Sequence, residues 1–423
     1  MKLFYRILSL VLCMVMVFGI MGCDRSAQST TTSPQDDASI LAARRDAAEA
    51  YMRAMATYLW RAEEDITYTR SSDVLTDKQL AAYPASQSFQ IKAGRLYRGV
   101  PYSYAGASAW NFMDYGSEAD AKGIHAVSGL HWRALNGGSS IGARVGSDCS
   151  GAIQLAWNYI GGTHILATTQ YMVEHRGYLP VGNYNSSKTI NSSTDQVCEG
   201  NGEQTMAAAY AQLQKADGVV MRVGSSGHTM MVVDVNVVYN DDGTIDTTRS
   251  YATFLHQTGR YLQNETRTYD ETLGEYVYTT FGIDDKLTFR QLYHEGYLPI
   301  TVEALIDVDA AEDPWVQDTQ TEYTKDTILK GKFRSNRIIS SVEITITDSS
   351  GNVVMQASCY NPRQTNQTVF TFDMQVRFNQ ELEYVRWGSL DLDNLPAGTY
   401  HCTHVLRDAH GAEYTMRDFD FSC

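Results

Sequence analysis

Apolar and polar positions alternate with a different rhythm in successive stretches of this chain. From Ile7 to Met21 the residues are apolar and uncharged, behind Lys2 and Arg6. Such a run is short for a membrane span and predicts a cleaved secretory signal over residues 1–22. Residues 24–39, DRSAQSTTTSPQDDAS, hold almost nothing apolar and predict a tether without fixed structure. Ala48, Tyr51, Met52, Met55, Leu59 and Ala62 then recur at helical spacing, with charges such as Arg44, Arg45, Asp46 and Arg53 on other positions. From about Ser88 to Asp318 helical and strand patterns mix. From about Glu322 the chain turns to alternating strands: VEITITDSSGNVVMQASCY reads as one hairpin and LPAGTYHCTHVLRDAHGAEYTMRDFDF as another. About 100 residues of this rhythm predict a small β-sandwich of immunoglobulin-like size.

Two patterns in the middle of the chain bear on chemistry. Ile153, Ala156, Trp157 and Ile160 stand at i, i+3, i+4 and i+7, and Gly161-Gly162 follows. A helix therefore begins close to Cys149, with Ser147 or Asp148 as its cap. Further on, Val219–Val223, His228–Tyr239 and a run from about Thr247 to Thr258 are separated by the turn signals GSSG and NDDG, which predicts an antiparallel meander. With Asp241-Asp242-Gly243 as a three-residue loop and Gly243 left-handed, Asn240 pairs with Thr244. Continuing that register puts His228 opposite His256, and opposed residues share a face. A slip of one residue substitutes Gln257 and turns the set over.

Length and composition add bounds. The 423 residues, 43% hydrophobic, suffice for two or three domains. A net charge of −15, made more negative once Lys2 and Arg6 leave with the signal, and the lack of a Lys/Arg cluster argue against nucleic acid as a partner. The junction GIMGC resembles a bacterial lipobox, which implies lipidation of Cys23 and an extracytoplasmic protein anchored to the cell membrane. Beyond Cys13 and Cys23, the cysteines are Cys149, Cys198, Cys359, Cys402 and Cys423. Their number is odd, so one thiol stays free, and sequence leaves any pairing among the last four open. No C-x-x-C pair occurs and no histidine spacing suits a metal, so neither metal nor cofactor is expected.

A thiol in the first turn of a helix lies at the positive end of its dipole, where a thiolate is stabilised; papain-type cysteines paired with histidine reach a pKa of roughly 3 to 4. His228, at the start of a central strand, is placed to face such a helix terminus, and His256 to orient it as the third member of a triad.

DCSG opening a helix, Gly227-His228 starting a strand, a polar residue on the next strand, and the upstream segment YRGVPYSYAG together resemble the NlpC family of papain-fold cell-wall peptidases, over about residues 90–260. The resemblance implies an α+β fold: a papain-like domain, with a Cys-bearing helix packed on an antiparallel sheet, over residues 40–318, and an all-β sandwich over 322–423. Residues 23–39 then comprise the lipidated cysteine and its tether. It also implies Cys149 as nucleophile, His228 as base and His256 as orienting residue, with Gln257 as the alternative. Tyr102, Asp148 and Ser150 would line the substrate site, and the Cys149 amide would help form an oxyanion hole. The implied reaction is hydrolysis of a peptide bond in peptidoglycan stem peptides. The chain departs from the family pattern in a long spacer between GVPY and DCSG, in a second insertion over 163–217, in Asp217-Gly218 where Gly-Asp is usual, and in Ala105 where glycine is common. A CHAP-like amidase or acyl transferase would want a carboxylate in the third place, which His256-Gln257 does not supply. A binding lipoprotein that uses its cleft without turnover would not need both Cys149 and His228.

Overall fold

The computed structural model describes residues 34–69, 88–102, 112, 116–128, 146–161, 168–186, 193–360, 369–373 and 392–423. The signal, Cys23, most of the tether, Ala105 and most of the spacer before DCSG lie outside the described residues. The chain divides into Met1–Ser39 and a compact unit, Ile40–Cys423.

Helix Pro34–Thr57 opens with Asp36 and Asp37 in its first turn. Proline fits the first turn, where its missing N–H costs nothing, and the two carboxylates complement the positive helix end. Two expectations change here. Residues 34–39 are helical and not tether, and the helix stops at Thr57, so Leu59 and Ala62 belong to a strand.

Two sheets make the body, one mixed and one wholly antiparallel. A five-stranded sheet runs in the order Arg267–Asp270, Glu275–Thr279, Leu96–Arg98, Leu59–Ala62, His125–Val127. A six-stranded sheet runs Phe281–Thr288, Tyr251–Gln257, Ser226–Asn236, Gly218–Val223, Leu298–Thr301, Leu179–Pro180. The three middle strands of the latter set form an antiparallel meander. The NDDG loop is the three-residue turn: Asn240 N–H donates to the Thr244 carbonyl at 2.8 Å, and Gly243 has φ +83°. The long insertion supplies helices Thr169–Val173, Thr194–Asn201 and Glu203–Tyr210.

The helix Cys149–Tyr159 runs through the centre of this body, with every residue from Cys149 to Asn158 buried. A helix buried on all sides needs small residues where it meets the sheet. Gly218 is one such contact, since a Cβ there would stand 3.0 Å from the Trp157 ring and 3.1 Å from Ile153. The Trp157 indole N–H donates to the Ala216 carbonyl at 2.8 Å. Replacing the fully buried Trp157 with alanine is expected to cost about 3–5 kcal/mol, read as a lower midpoint in urea unfolding.

The C-terminal part has a three-stranded sheet, Val316–Asp318, Lys330–Ser335, Val369–Asp373, and a four-stranded sheet, Val353–Tyr360, Ile339–Asp348, Thr399–Asp408, Glu413–Ser422. They share one apolar core that includes Phe333, Val342, Ile344, Ile346, Cys402 and Leu406. Both hairpins read from sequence are present. The boundary at 318 moves, because Val316–Asp318 pairs with Lys330–Ser335 and so belongs to these sheets. Cys198, Cys402 and Cys423 are free thiols, and the side chain of Cys359 lies outside the described residues.

Candidate active site

Asp148 caps the Cys149 helix: its Oδ1 accepts from the Gly151 N–H at 2.7 Å and from the Ser150 hydroxyl at 2.9 Å. Such a cap is worth about 1 kcal/mol and fixes where the helix, and so the thiol, begins. It also engages the Ser150 hydroxyl, which is buried and directed to Asp148, away from the substrate-contacting role implied for it.

The segment before the helix is held against Pro101-Tyr102. Ser147 and Tyr102 form a parallel bridge, and Ser147 N–H donates to the Pro101 carbonyl at 3.1 Å. The approach requires glycine at 146, where φ is +126° and a Cβ would meet the Pro101 oxygen at 2.2 Å. Gln257 locks the same junction: its Oε1 accepts from the Ser147 hydroxyl at 2.8 Å and its Nε2 donates to the Val100 carbonyl at 2.6 Å. Gln257 is fully buried on the face away from His256. Its work is to join three segments of the site, which sets aside its candidacy as the third residue.

His228 lies at the start of the central strand, partly exposed. The next residue, Thr229, has its backbone N–H directed to the Cys149 sulfur. The Cys149 helix thus begins against the first residues of the His228 strand. Gly227 makes room for the insertion there, since a Cβ would stand 2.2 Å from Thr169 Oγ1.

His228 Nε2 and His256 Nδ1 are 2.8 Å apart, with the rings edge to face. The two side chains share a face, but not as directly opposed residues. The strands pair Met231 with Leu255, which sets His256 beside Met230 and diagonal to His228. The irregular stretch after Asn236 and a bulge between Val232 and Asp234 move the register by an even number of residues from the one the turn implies, so the face is kept.

His256 Nε2 in turn lies 2.9 Å from Asp285 Oδ2, and the Tyr261 hydroxyl donates to the same oxygen. Asp285 belongs to the neighbouring strand Phe281–Thr288 and was not legible in the sequence, because a bulge brings it round. Gly282 opposes His256 and Ile283 opposes Leu255, but Asp285 opposes Phe254, with Asp284 at φ +57° between. Unbroken alternation would have aimed Asp284 at His256. Instead Asp284 pairs outward with Arg53 at 3.0 Å.

Burial, and then the Asp148 carboxylate, push the Cys149 thiol up to about 12. Burial, His256 and Arg260 hold His228 well below the usual histidine range. The expected thiolate is therefore corrected: desolvation and the adjacent carboxylate favour the neutral thiol at Cys149, and burial favours the neutral imidazole at His228. Alkylation of Cys149, followed by peptide mass mapping, is expected to rise about tenfold per pH unit from pH 6 to 9. A plateau below pH 7 would show a preformed thiolate and contradict this assignment.

Among the described residues no group of His, Cys, Asp and Glu side chains is arranged to hold a metal ion. The chain matches no family model and no curated protein.

Proposed function

We propose that this protein is a cysteine hydrolase with a papain-like α+β domain and an immunoglobulin-like β unit. In this reading it is anchored outside the cytoplasm through a lipid on Cys23 and cleaves a peptide bond in peptidoglycan stem peptides. The reading rests above all on the His228–His256 hydrogen bond, made from the strand whose next residue, Thr229, meets the Cys149 sulfur. The order of DCSG, Gly-His and polar third residue, with the Pro-Tyr segment joined to the nucleophile loop through Gln257, supports the choice of substrate class.

Starting from the neutral pair, His228 takes the Sγ proton as the sulfur attacks the scissile carbonyl carbon. Negative charge gathers on the carbonyl oxygen, where the Cys149 N–H, in the first helical turn and free of an intrahelical partner, can donate. Collapse expels the amine, which takes the proton from His228 and leaves a thioester. Water then gives a proton to His228 and attacks the thioester carbon; the acid leaves and the thiol is restored. Tyr102, bridged to Ser147 two residues before Cys149, is assigned to the substrate side of this reaction.

The test is mass spectrometry of purified peptidoglycan fragments after incubation with the protein or its Cys149→Ala variant. Cleaved stem peptides with the native protein alone are expected. Intact fragments with both would overturn the substrate assignment.

A further inference from the structure

The far end of the hydrogen-bonded row decides which ring nitrogen of His228 is free. A carboxylate can only accept, so His256 Nε2, 2.9 Å from Asp285 Oδ2, carries the ring proton. A neutral imidazole has one N–H, so His256 Nδ1 is an acceptor. His228 Nε2, 2.8 Å away, must then be the donor, and the lone pair of His228 falls on Nδ1. We infer that Asp285 is a positioning residue that fixes, through His256, the base-competent tautomer of His228, and that Tyr261 holds the Asp285 carboxylate in place. This rests on His228 being the base.

Three features of the chain serve that one contact. The bulge at Asp284 turns Asp285 onto the face of His256. Gly282 leaves the space between the groups empty: a Cβ there would stand 2.2 Å from His256 Nε2 and 2.6 Å from Asp285 Oδ2, inside the hydrogen bond itself. The Tyr261 hydroxyl donates to the same oxygen, so the carboxylate is held from two sides. The Asp285 side chain stays partly exposed, so these contacts and not burial fix its place. When His228 gains the thiol proton, the same row places the negative charge of Asp285 where the new cation is stabilised, with no further proton transfer required.

The test uses the full chain labelled with ¹⁵N-histidine, without substrate, together with turnover of peptidoglycan fragments. In the native protein the His228 Nε2 resonance is expected to be that of a protonated ring nitrogen. In Asp285→Ala that signature is lost to a mixture of tautomers, and kcat falls about 10²–10³-fold with KM little changed. Asp285→Asn keeps an acceptor oxygen and recovers the protonated signature and at least about tenfold of the rate. Tyr261→Phe, which leaves the carboxylate, lowers kcat by about tenfold with native unfolding behaviour. Native turnover in Asp285→Ala, or a His228 Nε2 that stays fully protonated there, would overturn the inference. A protein that cleaves no fragment at all would count against the hydrolase reading, while the spectra would still decide the tautomer.

Discussion

Replacing His228 with alanine is expected to lower the rate of the proposed stem-peptide hydrolysis by at least about 10⁴-fold, and Cys149→Ala to abolish the proposed acyl-enzyme altogether. The size of the first effect follows from the protonation states at rest. With the thiol pushed up to about 12, less than about one molecule in 10⁴ carries a thiolate at neutral pH, so attack depends on proton removal during the step. An ion pair formed in advance would make the base less necessary. The same states set the pH profile. His228 is held well below the usual histidine range, chiefly by burial, so it remains a neutral base as the pH falls through 6. kcat/KM should therefore show no loss from this group between pH 7 and 6. His228 is half-buried at a strand end and loses one hydrogen bond to His256 on truncation, so His228→Ala should lower the unfolding free energy by no more than about 2 kcal/mol. Hydrolysis by His228→Ala at a tenth of the native rate or more would remove the histidine from the reaction.

Deleting residues 313–423 is expected to destabilise the remaining body by at least about 3 kcal/mol, or to prevent its folding. The C-terminal sheets have a core of their own, and on composition alone they read as a detachable module. Their contacts with the body argue otherwise. Ile338 and Ala409 are buried in the body's apolar cluster. At the far end of the nucleophile helix, Asn158 Oδ1 accepts from the Ile338 N–H at 3.1 Å and meets His410 Nε2 at 3.2 Å. The Tyr51 and Tyr159 rings stack at 5.0 Å, and His410 meets both edge-on. Removing the C-terminal part leaves Asn158 and these rings facing water at the end of the helix whose start carries Cys149. Urea unfolding of the shortened and full chains checks this, and an unchanged midpoint would establish the two parts as independent. The second part is accordingly placed to hold the Cys149 helix, whatever else it contacts.

The sequence by itself determined what depends on short-range geometry. The Cys149 helix with a cap at Ser147 or Asp148, of which Asp148 is the one used, the Asn240–Thr244 turn and both C-terminal hairpins follow from spacing and turn chemistry acting over a few residues. Even the pairing of His228 with His256 was legible as a shared face, although the register that suggested it is displaced, because an even displacement conserves the face. Only the tertiary structure decided the rest. Asp285 reaches His256 because one extra residue at Asp284 reverses the alternation, and no periodic pattern in the sequence marks where a bulge falls. Gln257 became a tie between Ser147 and Val100, segments more than 100 residues away along the chain. The protonation of Cys149 was misread from its position at a helix start, since the dipole is a local property while burial is set by everything packed around the thiol.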